Sequence, residues 1–535
     1  MGYVSFESDT RIIDALANVF PIFFVLVAGL VCITTMTRMV TEERTQIGTM
    51  KALGYSAAAI MSKYLLYSGS AALIGCVLGY FAGSAVIPWI VWTAYGIIYD
   101  YSALRYFFSL PLILRTLAVS VLGTILVTWL ACRRQLRERP AELIRPKAPK
   151  PGRRILLEYL GPLWRALPFL HKVSLRNAFR YPLRVAMMLL GIGGCTALLV
   201  AGFGCKDSIA DLSAYQYNDI SLYDLSVNLD VDSFADDAAA EKLWQRKAEY
   251  SAMTWQEPVT LRCGGAEKST HAVACAPGAL DELIRLFNAD GTIPFPAEGE
   301  AVITEKLSDL LAAKLGDTIE MELDSGETVT LRVSGICKNY LRHFIYLNDA
   351  SLPQLRHNTA LLRLTADTDP SRFAAHLRSE DGVSYVSLTS QERAVFEQSM
   401  ESLDLLILLL ILCSGALAFI TLFNLTNINI MERTREIATV KVLGFHLPET
   451  ASYVLRENRL LALLGALFGL LLGKGLHRIV IESIVVDNMT YDIRILPVSY
   501  LLSLGITLVF TLLTNLVMHR KLDKIPMAES LKSVE

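Results

Sequence analysis

The sequence predicts an α-helical polytopic membrane protein with seven spans, arranged as two repeated three-span bundles plus one linking span, with an α+β extracytoplasmic domain. Three observations lead to this fold class. The 535-residue chain is 53% hydrophobic with a mean hydropathy of +0.40, which is well above the usual soluble share. Several stretches reach the roughly 20 apolar residues that a helix needs to cross a bilayer. A charged segment occurs twice, each time just after such a stretch.

The predicted spans come first along the chain. The second is long enough to be tilted, or to be broken at Pro88. The first lacks a basic leader and runs on too far for a signal peptide, so it is expected to remain in the membrane. The spans lie near residues 16–36, 60–92, 110–132, 184–204, 403–426, 457–480 and 498–518.

The distribution of basic residues predicts the orientation. The segment from Arg133 to Arg184 holds 14 Lys/Arg against three acidic residues, whereas the insert from Lys206 to Glu401 holds 17 against 32. Because basic connectors stay in the cytoplasm, the first segment and the tail 519–535 are expected inside. The 93–109 loop and the insert are then outside. We therefore expect a multi-pass protein of the cell (plasma or inner) membrane.

The repeated segment reads EERTQIGTMKALGY from Glu42 and ERTREIATVKVLGF from Glu432. At a constant offset of 390 residues, six positions are identical: Glu42, Ile47, Thr49, Lys51, Leu53 and Gly54 match Glu432, Ile437, Thr439, Lys441, Leu443 and Gly444. The apolar residues fall at helical spacing, and Gly54 or Gly444, near the end of each copy, can adopt the left-handed conformation that ends a helix. This pattern predicts a short amphipathic helix at the cytoplasmic face. Such a helix could rest on lipid headgroups or dock on a partner, and its duplication favours docking.

The repeat is larger than this helix. A basic Pro-Ala-Glu tail follows the third span, at Pro140, and the last span, at Pro526. Each half therefore reads span, charged helix, span, outside loop, span and basic tail, as expected of internally repeated membrane proteins. A span and an outside domain precede only the second half. Symmetry predicts an N-terminally truncated version of an eight-span protein, with residues 1–15 as a remnant of a first extracytoplasmic domain. The alternative is a true seven-span protein.

The insert, residues 206–402, is expected to fold as an α+β domain. Alternating apolar and polar residues predict strands at 222–229, 318–323 and 328–336, and Asp324-Ser325-Gly326 predicts a hairpin turn between the last two. Residues 301–317 predict a helix capped by Gly316. Three of the nine cysteines lie in the insert, where either one disulfide or free thiols are compatible with the sequence: Cys263, Cys275 and Cys337.

The sequence contains none of the motifs that would predict an enzyme. It has no GxxxxGK[ST] loop, and its nearest lookalike, Gly469 to Gly475, has the wrong spacing and lies within a span, where its glycines predict close helix packing. HExxH and G-x-S-x-G are also missing. No catalytic residue, cofactor or metal is therefore expected. The preference of basic connectors for the cytoplasm explains the basic stretch 133–184, so no nucleic-acid partner is expected. A further role of this stretch is contact with the headgroups of the lipid bilayer.

The second charged helix, Glu-Arg-Thr-Arg-Glu-Ile…Lys-Val-Leu-Gly after a span, resembles the signature of the FtsX-like (MacB/LolC-type) permeases of ABC transporters. The Pro-Ala-Glu tails are similar to those after the last span of such domains. The resemblance covers two bundles, residues 16–145 and 403–532, which the basic cytoplasmic linker 146–183 and the span 184–204 connect. It extends to the insert through AVITEKLSDLLAAKLGDTIEMEL and VSGICKNYL.

The resemblance implies that a separate P-loop ATPase subunit, which binds the ATP, docks on the repeated helices. Their apolar contacts would be Ile47, Met50 and Leu53 with Ile437, Val440 and Leu443; Lys51 and Lys441 would be polar contacts, and Glu42, Gly54, Glu432 and Gly444 would bound the helices. ATP hydrolysis would then drive export, lipoprotein extraction or mechanotransmission, in a dimer or hetero-assembly of permease subunits with an unknown extracytoplasmic partner.

Two other classes of function remain open at this point. The first is an FtsX-type regulatory membrane protein that controls an extracytoplasmic partner such as a cell-wall hydrolase. The second is a secondary transporter, which should carry ionisable residues at mid-bilayer. Such residues are scarce in the predicted spans, so the sequence disfavours this class.

Overall fold

The computed structural model describes residues 2–95, 104, 106–144, 172, 176, 182–210, 212–352, 354, 356–432, 434–444, 447–484 and 489–523. The chain divides into two compact units. One contains residues 1–13, 208–402 and 484–492, and the other contains residues 14–207, 403–483 and 493–535. The predicted tail residues Pro526 to Lys532 and most of the 133–184 linker lie outside the described residues.

Helices account for nearly all of the described residues of the second unit. The described part of the chain contains seven helices long and apolar enough to cross a membrane, which agrees with the predicted number of spans. The helices are α1 (Gly2–Glu42), α2 (Arg44–Ala52), α3 (Ala57–Tyr95), α4 (Leu110–Leu136), α5 (Pro140–Ile144), α6 (Pro182–Ala210), α7 (Asp237–Glu241), α8 (Glu305–Leu311), α9 (Pro370–Leu377), α10 (Thr389–Glu432), α11 (Thr434–Val442), α12 (Leu447–Ser483) and α13 (Pro497–Asp523). Helix α3 continues through Pro88 without a break, so the alternative of a broken span is wrong.

Helices α6 and α12 pack through glycine. Gly465, Gly469 and Gly473 follow one face of α12 at every fourth residue. A Cβ atom added at Gly469 would lie 2.6 Å from the carbonyl oxygen of Gly193 on α6, and one at Gly473 would lie 2.5 Å from the Cβ of Val200. Small residues let the two backbones approach closely, which strengthens dispersion contacts inside a bilayer. The prediction that the glycines from Gly469 to Gly475 serve helix packing is therefore confirmed for Gly469 and Gly473, whereas an added Cβ at Gly475 has nothing within 4 Å.

The other unit is an α+β domain built on one mixed sheet. Its strand order is β11-β1-β10-β2-β3-β9-β6-β8-β7, and a small separate hairpin joins β4 and β5. The strands are β1 (Leu225–Leu229), β2 (Ala248–Cys263), β3 (Ala266–Cys275), β4 (Phe287–Asn288), β5 (Gly291–Thr292), β6 (Glu300–Thr304), β7 (Thr318–Glu322), β8 (Thr328–Cys337), β9 (Phe344–Asn348), β10 (Thr359–Leu364) and β11 (Val383–Leu388).

The structure confirms the predicted hairpin and corrects the helix beside it. Strands β7 and β8 pair antiparallel around a turn in which Gly326 has a φ of +84°. The predicted helix 301–317 is wrong at both ends, because residues 300–304 form strand β6 and α8 ends at Leu311, where Ala312 adopts the left-handed conformation. The run Ala-Val-Ile-Thr favours a strand, since its β-branched residues pack well on a sheet. It pairs with β8 and β9 and is buried.

The three cysteines of the domain are free thiols. Cys275 and Cys337 are buried in one apolar cluster, and Cys263 is half-buried at the end of β2. Burial raises the pKa of both the Cys275 and the Cys337 thiol to about 12. Both thiols therefore stay protonated at neutral pH and serve as small apolar core residues.

Candidate functional site

The two copies of the repeated segment adopt the same local structure. In the first copy α2 ends where Gly54 takes a φ of +93°, and in the second α11 ends where Gly444 takes a φ of +88°. The closing turn is the same in both, because Gly54 N–H donates to the Lys51 carbonyl and Gly444 N–H donates to the Lys441 carbonyl, each at 3.1 Å. Glycine adopts this left-handed conformation without the strain that a Cβ would cause.

In each copy, the apolar residue near the start of the helix is buried and the one just after its end is exposed. Ile47 and Ile437 are each only 1% exposed, whereas Leu53 is 73% exposed and Leu443 is 71% exposed. Met50 and Val440 are half-buried. Ile47 and Ile437 therefore cannot meet a partner in this structure, which differs from the expectation that all three apolar residues of a copy would do so. They attach the helix to the chain itself, and the surface that remains available lies at the helix end.

Helix α2 is held by the helices around it. Ile47 belongs to a buried cluster with Val40 of α1, Tyr64 of α3, Cys132 of α4 and Leu143 of α5, among others. Arg44 makes an ion pair of 2.7 Å with Glu138 and also donates to the carbonyl of Glu142 at 2.6 Å. These contacts join α2 to the end of α4 and to α5.

Lys51 is also engaged within the chain. Its ammonium donates to the carbonyl oxygens of Leu136, the last residue of α4, and of Glu138 at 2.9 Å. A cation at the C-terminal end of a helix is favoured by the free carbonyls and the dipole there. Lys51 therefore has a structural role, which differs from the expected polar contact with a partner. Lys441 is half-buried in the second copy.

Of the two glutamates that begin the repeated segments, the structure describes the side chain of Glu42. Glu42 is exposed and lies 3.8 Å from Arg38. The side chain of Glu432 lies outside the described residues. Beside Glu42, Glu43 accepts hydrogen bonds from Lys63 at 2.6 Å and from Tyr64 at 2.7 Å. Partial burial acts to raise the pKa of Glu43, but these two hydrogen bonds and the charge of Lys63 outweigh it and lower that pKa.

The close approach of α2 to α5 depends on Gly48. A Cβ atom added there would lie 2.8 Å from Cγ1 of Ile144 and 3.0 Å from Cβ of Leu143. We expect Gly48→Leu to destabilise the attachment of α2 by about 1–3 kcal/mol, because such overpacking forces neighbouring groups apart. Thermal unfolding of the purified chain measures this effect. The matched control is Ala52→Leu on the exposed end of α2, and equal unfolding temperatures for the two variants would contradict the prediction.

A second set of contacts lies in the α+β domain, at residues 338–341, which follow β8. We call these residues the junction segment. The buried side chain of Gln216 accepts hydrogen bonds from the backbone N–H groups of Tyr340 at 3.1 Å and of Leu341 at 3.2 Å. Its amide donates to Asn339 and to Ser221, each at 3.1 Å. Gln216 lies in a π-helical turn, Tyr215–Ile220, a few residues after the end of α6.

The junction segment also meets the loop between α12 and α13. The Tyr340 hydroxyl donates to Asp492 at 2.9 Å, Lys338 lies 3.5 Å from the same carboxylate, and the Thr490 N–H donates to the Tyr340 carbonyl at 3.0 Å. Burial, the Asp492 charge and this hydrogen bond all raise the pKa of Tyr340, so its phenol remains the donor at neutral pH. Sequence patterns gave no signal for this contact, since the residues are about 150 positions apart.

A polar cluster inside the helical unit was also missed. Asn458 of α12 donates to Thr426 of α10 at 2.8 Å and to Asn515 of α13 at 2.9 Å. The neighbouring Glu457 is only 1% exposed. Hydrogen bonds between membrane helices each contribute roughly 0.6–2 kcal/mol, so this cluster helps to hold three helices together. The only signal in the sequence is the presence of polar residues within apolar runs.

Comparisons with known proteins agree with this architecture. A family model described as "FtsX-like permease C-terminal" matches the chain twice, at residues 18–140 and 408–527. No curated protein matches the chain. Among solved structures, the chain is similar to the extracellular domain of the noncanonic ABC-type transporter YknZ from Gram-positive bacteria, at 14% identity over 31% of this chain and 98% of that one. The TM-score is 0.23. The two matches place a region similar to an FtsX-like permease domain in each half of the chain, and the seven apolar helices are consistent with a membrane permease of this type.

Proposed function

We propose that the chain is the membrane subunit of an ABC transporter and that a separate P-loop ATPase docks on the exposed ends of α2 and α11. The observation that supports this proposal is that the two copies bury and expose their apolar residues at the same positions. Each buries an isoleucine in its own chain and leaves a leucine more than 70% exposed beside a left-handed glycine. Exposed apolar residues at a helix end suit a partner's pocket, since they lose water on docking.

The contacts that hold α2 in the chain favour docking on a partner protein over a location on the lipid headgroups. A helix that lies on headgroups needs only an apolar face and free cations. In α2 the apolar Ile47 and the cation Lys51 are both used inside the chain. A push on Leu53 or Tyr55, which is 59% exposed, would therefore reach α4 and α5 through fixed contacts.

Force would then travel along unbroken helices. Helix α10 runs for 44 residues from Thr389 to Glu432, and α6 runs for 29 residues from Pro182 to Ala210. The chain segments next to α6, α12 and α13 meet at the junction segment. Mechanotransmission to the outside domain is therefore the role we favour among export, lipoprotein extraction and force transmission. The cytoplasmic location of α2 and α11 and the outside location of residues 206–402 belong to the same proposal.

Co-purification with the ATPase tests this proposal. The double variant Leu53→Asp with Leu443→Asp is expected to abolish co-purification with the P-loop ATPase from membranes, because both docking points then bury a charge that has no partner. The matched control is Leu315→Asp with Tyr385→Asp, two apolar residues of the α+β domain that are 67% and 58% exposed and lie outside the predicted spans. Retained co-purification of a stably inserted docking variant would contradict the proposal.

A further inference from the structure

A cavity of about 70 Å³ lies between helices α1, α6 and α10 of the helical unit. One wall is polar and comes from a single face of α1, where four residues recur at helical spacing: Thr34, Thr37, Arg38 and Thr41. The other walls are apolar and consist of two methionines of α6 and two aliphatic residues of α10. Since one water molecule takes roughly 30 Å³ of liquid volume, the cavity has room for a group larger than a single water.

The guanidinium of Arg38 is the charged group of this cavity. Its Nε and Nη1 atoms are buried and make no hydrogen bond in the part of the chain that the structure describes. The ion-pair partner of Arg38 is Glu42, whose carboxylate oxygen lies 3.8 Å from Nε, beyond hydrogen-bond range. A buried charged donor without an acceptor costs free energy, so these two N–H groups favour a bound anion.

The surroundings of Arg38 differ from those usual for an arginine near the end of a span. Such side chains generally extend their charge into water, but Arg38 is only 20% exposed although α1 ends one turn later. The hydroxyl of Thr37, on the same wall, makes no hydrogen bond within the described residues and can also donate to an anion. The hydroxyls of Thr34 and Thr41 instead donate to carbonyl oxygens of their own helix.

The second half of the chain has no cation at the equivalent position. At the offset of 390 residues that aligns the repeated segments, Arg38 matches Ile428, which lines the same cavity from α10. Helices α1 and α10 are joined by a different contact, in which Asn424 donates to the hydroxyl of Thr35 at 2.8 Å. An aliphatic side chain at position 38 would avoid the cost of burying a charge. A ligand therefore explains Arg38 better than helix packing does.

We propose that this cavity binds an anionic phosphate group, from the headgroup of a membrane lipid or from free phosphate, with Arg38 and Thr37 as the donors. Phosphate suits the site because it offers several acceptor oxygens, and arginine pairs with it through more than one N–H group. The exposed Thr41 lies at the edge of the cavity, so the cavity reaches the protein surface there.

The position of the cavity along α1 fits a lipid headgroup. The apolar stretch of α1, Leu16–Glu42, has 27 residues and is therefore about 40 Å long, whereas the hydrocarbon core of a bilayer is about 30 Å thick. The last turns of α1, which carry Arg38, then lie at the depth of the headgroups. The site is independent of the proposed ATPase, because it needs only residues of α1, α6 and α10.

Thermal unfolding of the purified full chain in detergent, after removal of bound lipid, tests the site. Dioleoylphosphatidylglycerol, inorganic phosphate and dioleoylglycerol are titrated separately, and only the first two carry phosphate. A ligand that binds the folded chain raises its unfolding temperature. We expect a saturable rise with at least one phosphate compound and none with dioleoylglycerol. A rise with phosphatidylglycerol alone assigns the site to a lipid headgroup, whereas a rise with inorganic phosphate assigns it to the phosphate group itself.

Two variants connect this rise to the cavity. Arg38→Gln is expected to weaken the apparent affinity roughly tenfold or more, because hydrogen bonds that involve a charged group are the strong ones. Without ligand, Arg38→Gln should unfold at the same temperature as the unchanged chain or at a higher one, because it removes a buried charge. Thr37→Val keeps the shape of the side chain and loses only its hydroxyl, so it should weaken the affinity by a smaller factor.

The matched control is Arg133→Gln, which removes a charge near the end of α4, where Arg133 is exposed and lies 4.6 Å from the ring centre of Trp129. It should leave the affinity unchanged. The proposal would be overturned if neither phosphate compound raised the unfolding temperature or if dioleoylglycerol raised it equally. Equal affinities of Arg38→Gln and the unchanged chain, or an equal loss in Arg133→Gln, would also overturn it, since binding would then not depend on this cavity.

Discussion

Replacement of Gly473 by leucine is expected to lower the stability of the helical unit by about 3 kcal/mol, at the upper end of the usual cost of overpacking. The reason is geometric. An added Cβ would lie 2.5 Å from Cβ of Val200 and 3.2 Å from Cα of Ala197 on α6. Backbone atoms cannot turn away as a flexible side chain can, so α6 and α12 must separate. Thermal unfolding of the purified chain in detergent measures the loss.

Substitutions at Gly473 separate the cost of a steric clash from the gain in helix propensity. Gly473→Ala should already destabilise the chain, because the clash begins at Cβ, even though alanine is the better helix former. Gly475→Leu is the matched control, two residues further along α12 with open space around it. If Gly473→Leu unfolded at the same temperature as Gly475→Leu, the close contact between α6 and α12 would be wrong.

The sequence predicted the seven spans because length and apolarity are properties of a single helix. The repeated segments were equally visible, since identical residues recur at one offset. The sequence could not show which apolar residues of each helix are buried and which are exposed. Ile47 and Leu53 share one helical pattern, yet one is buried and the other is exposed, because the position of α5 and of the end of α4 decides which end of α2 is covered.

Strand β6 shows a different limit. Residues 301–304 were expected to extend the helix that follows them, because a short apolar run before a helix fits either structure. Pairing with β8 and β9 decided the outcome, and those strands are about 30 to 45 residues away along the chain. The contact between Tyr340 and Asp492 has the same character, since partners so distant in sequence leave no local pattern.

Gln216→Leu is expected to release the junction segment. The substitution removes the four hydrogen bonds of this buried side chain and leaves the N–H groups of Tyr340 and Leu341 without an acceptor. An unsatisfied buried group costs about 1–3 kcal/mol, so the combined local loss is about 3 kcal/mol or more. Amide hydrogen exchange measures it directly, and the amides of Tyr340 and Leu341 should exchange faster.

The matched control is Gln256→Leu, which removes a single side-chain hydrogen bond, to Thr254 at 3.0 Å, from a half-buried position on β2 of the same domain. It should leave exchange at residues 340 and 341 unchanged. If, as proposed, an ATPase docks on α2 and α11 and force reaches the α+β domain through the junction segment, Gln216→Leu should keep the ATPase yet lose any ATP-dependent change in exchange on β8. The docking variant at Leu53 and Leu443 should lose both. An ATP-dependent change that survives in Gln216→Leu would mean that force bypasses residues 338–341 and enters the sheet through another connection, such as the start of α10 after β11.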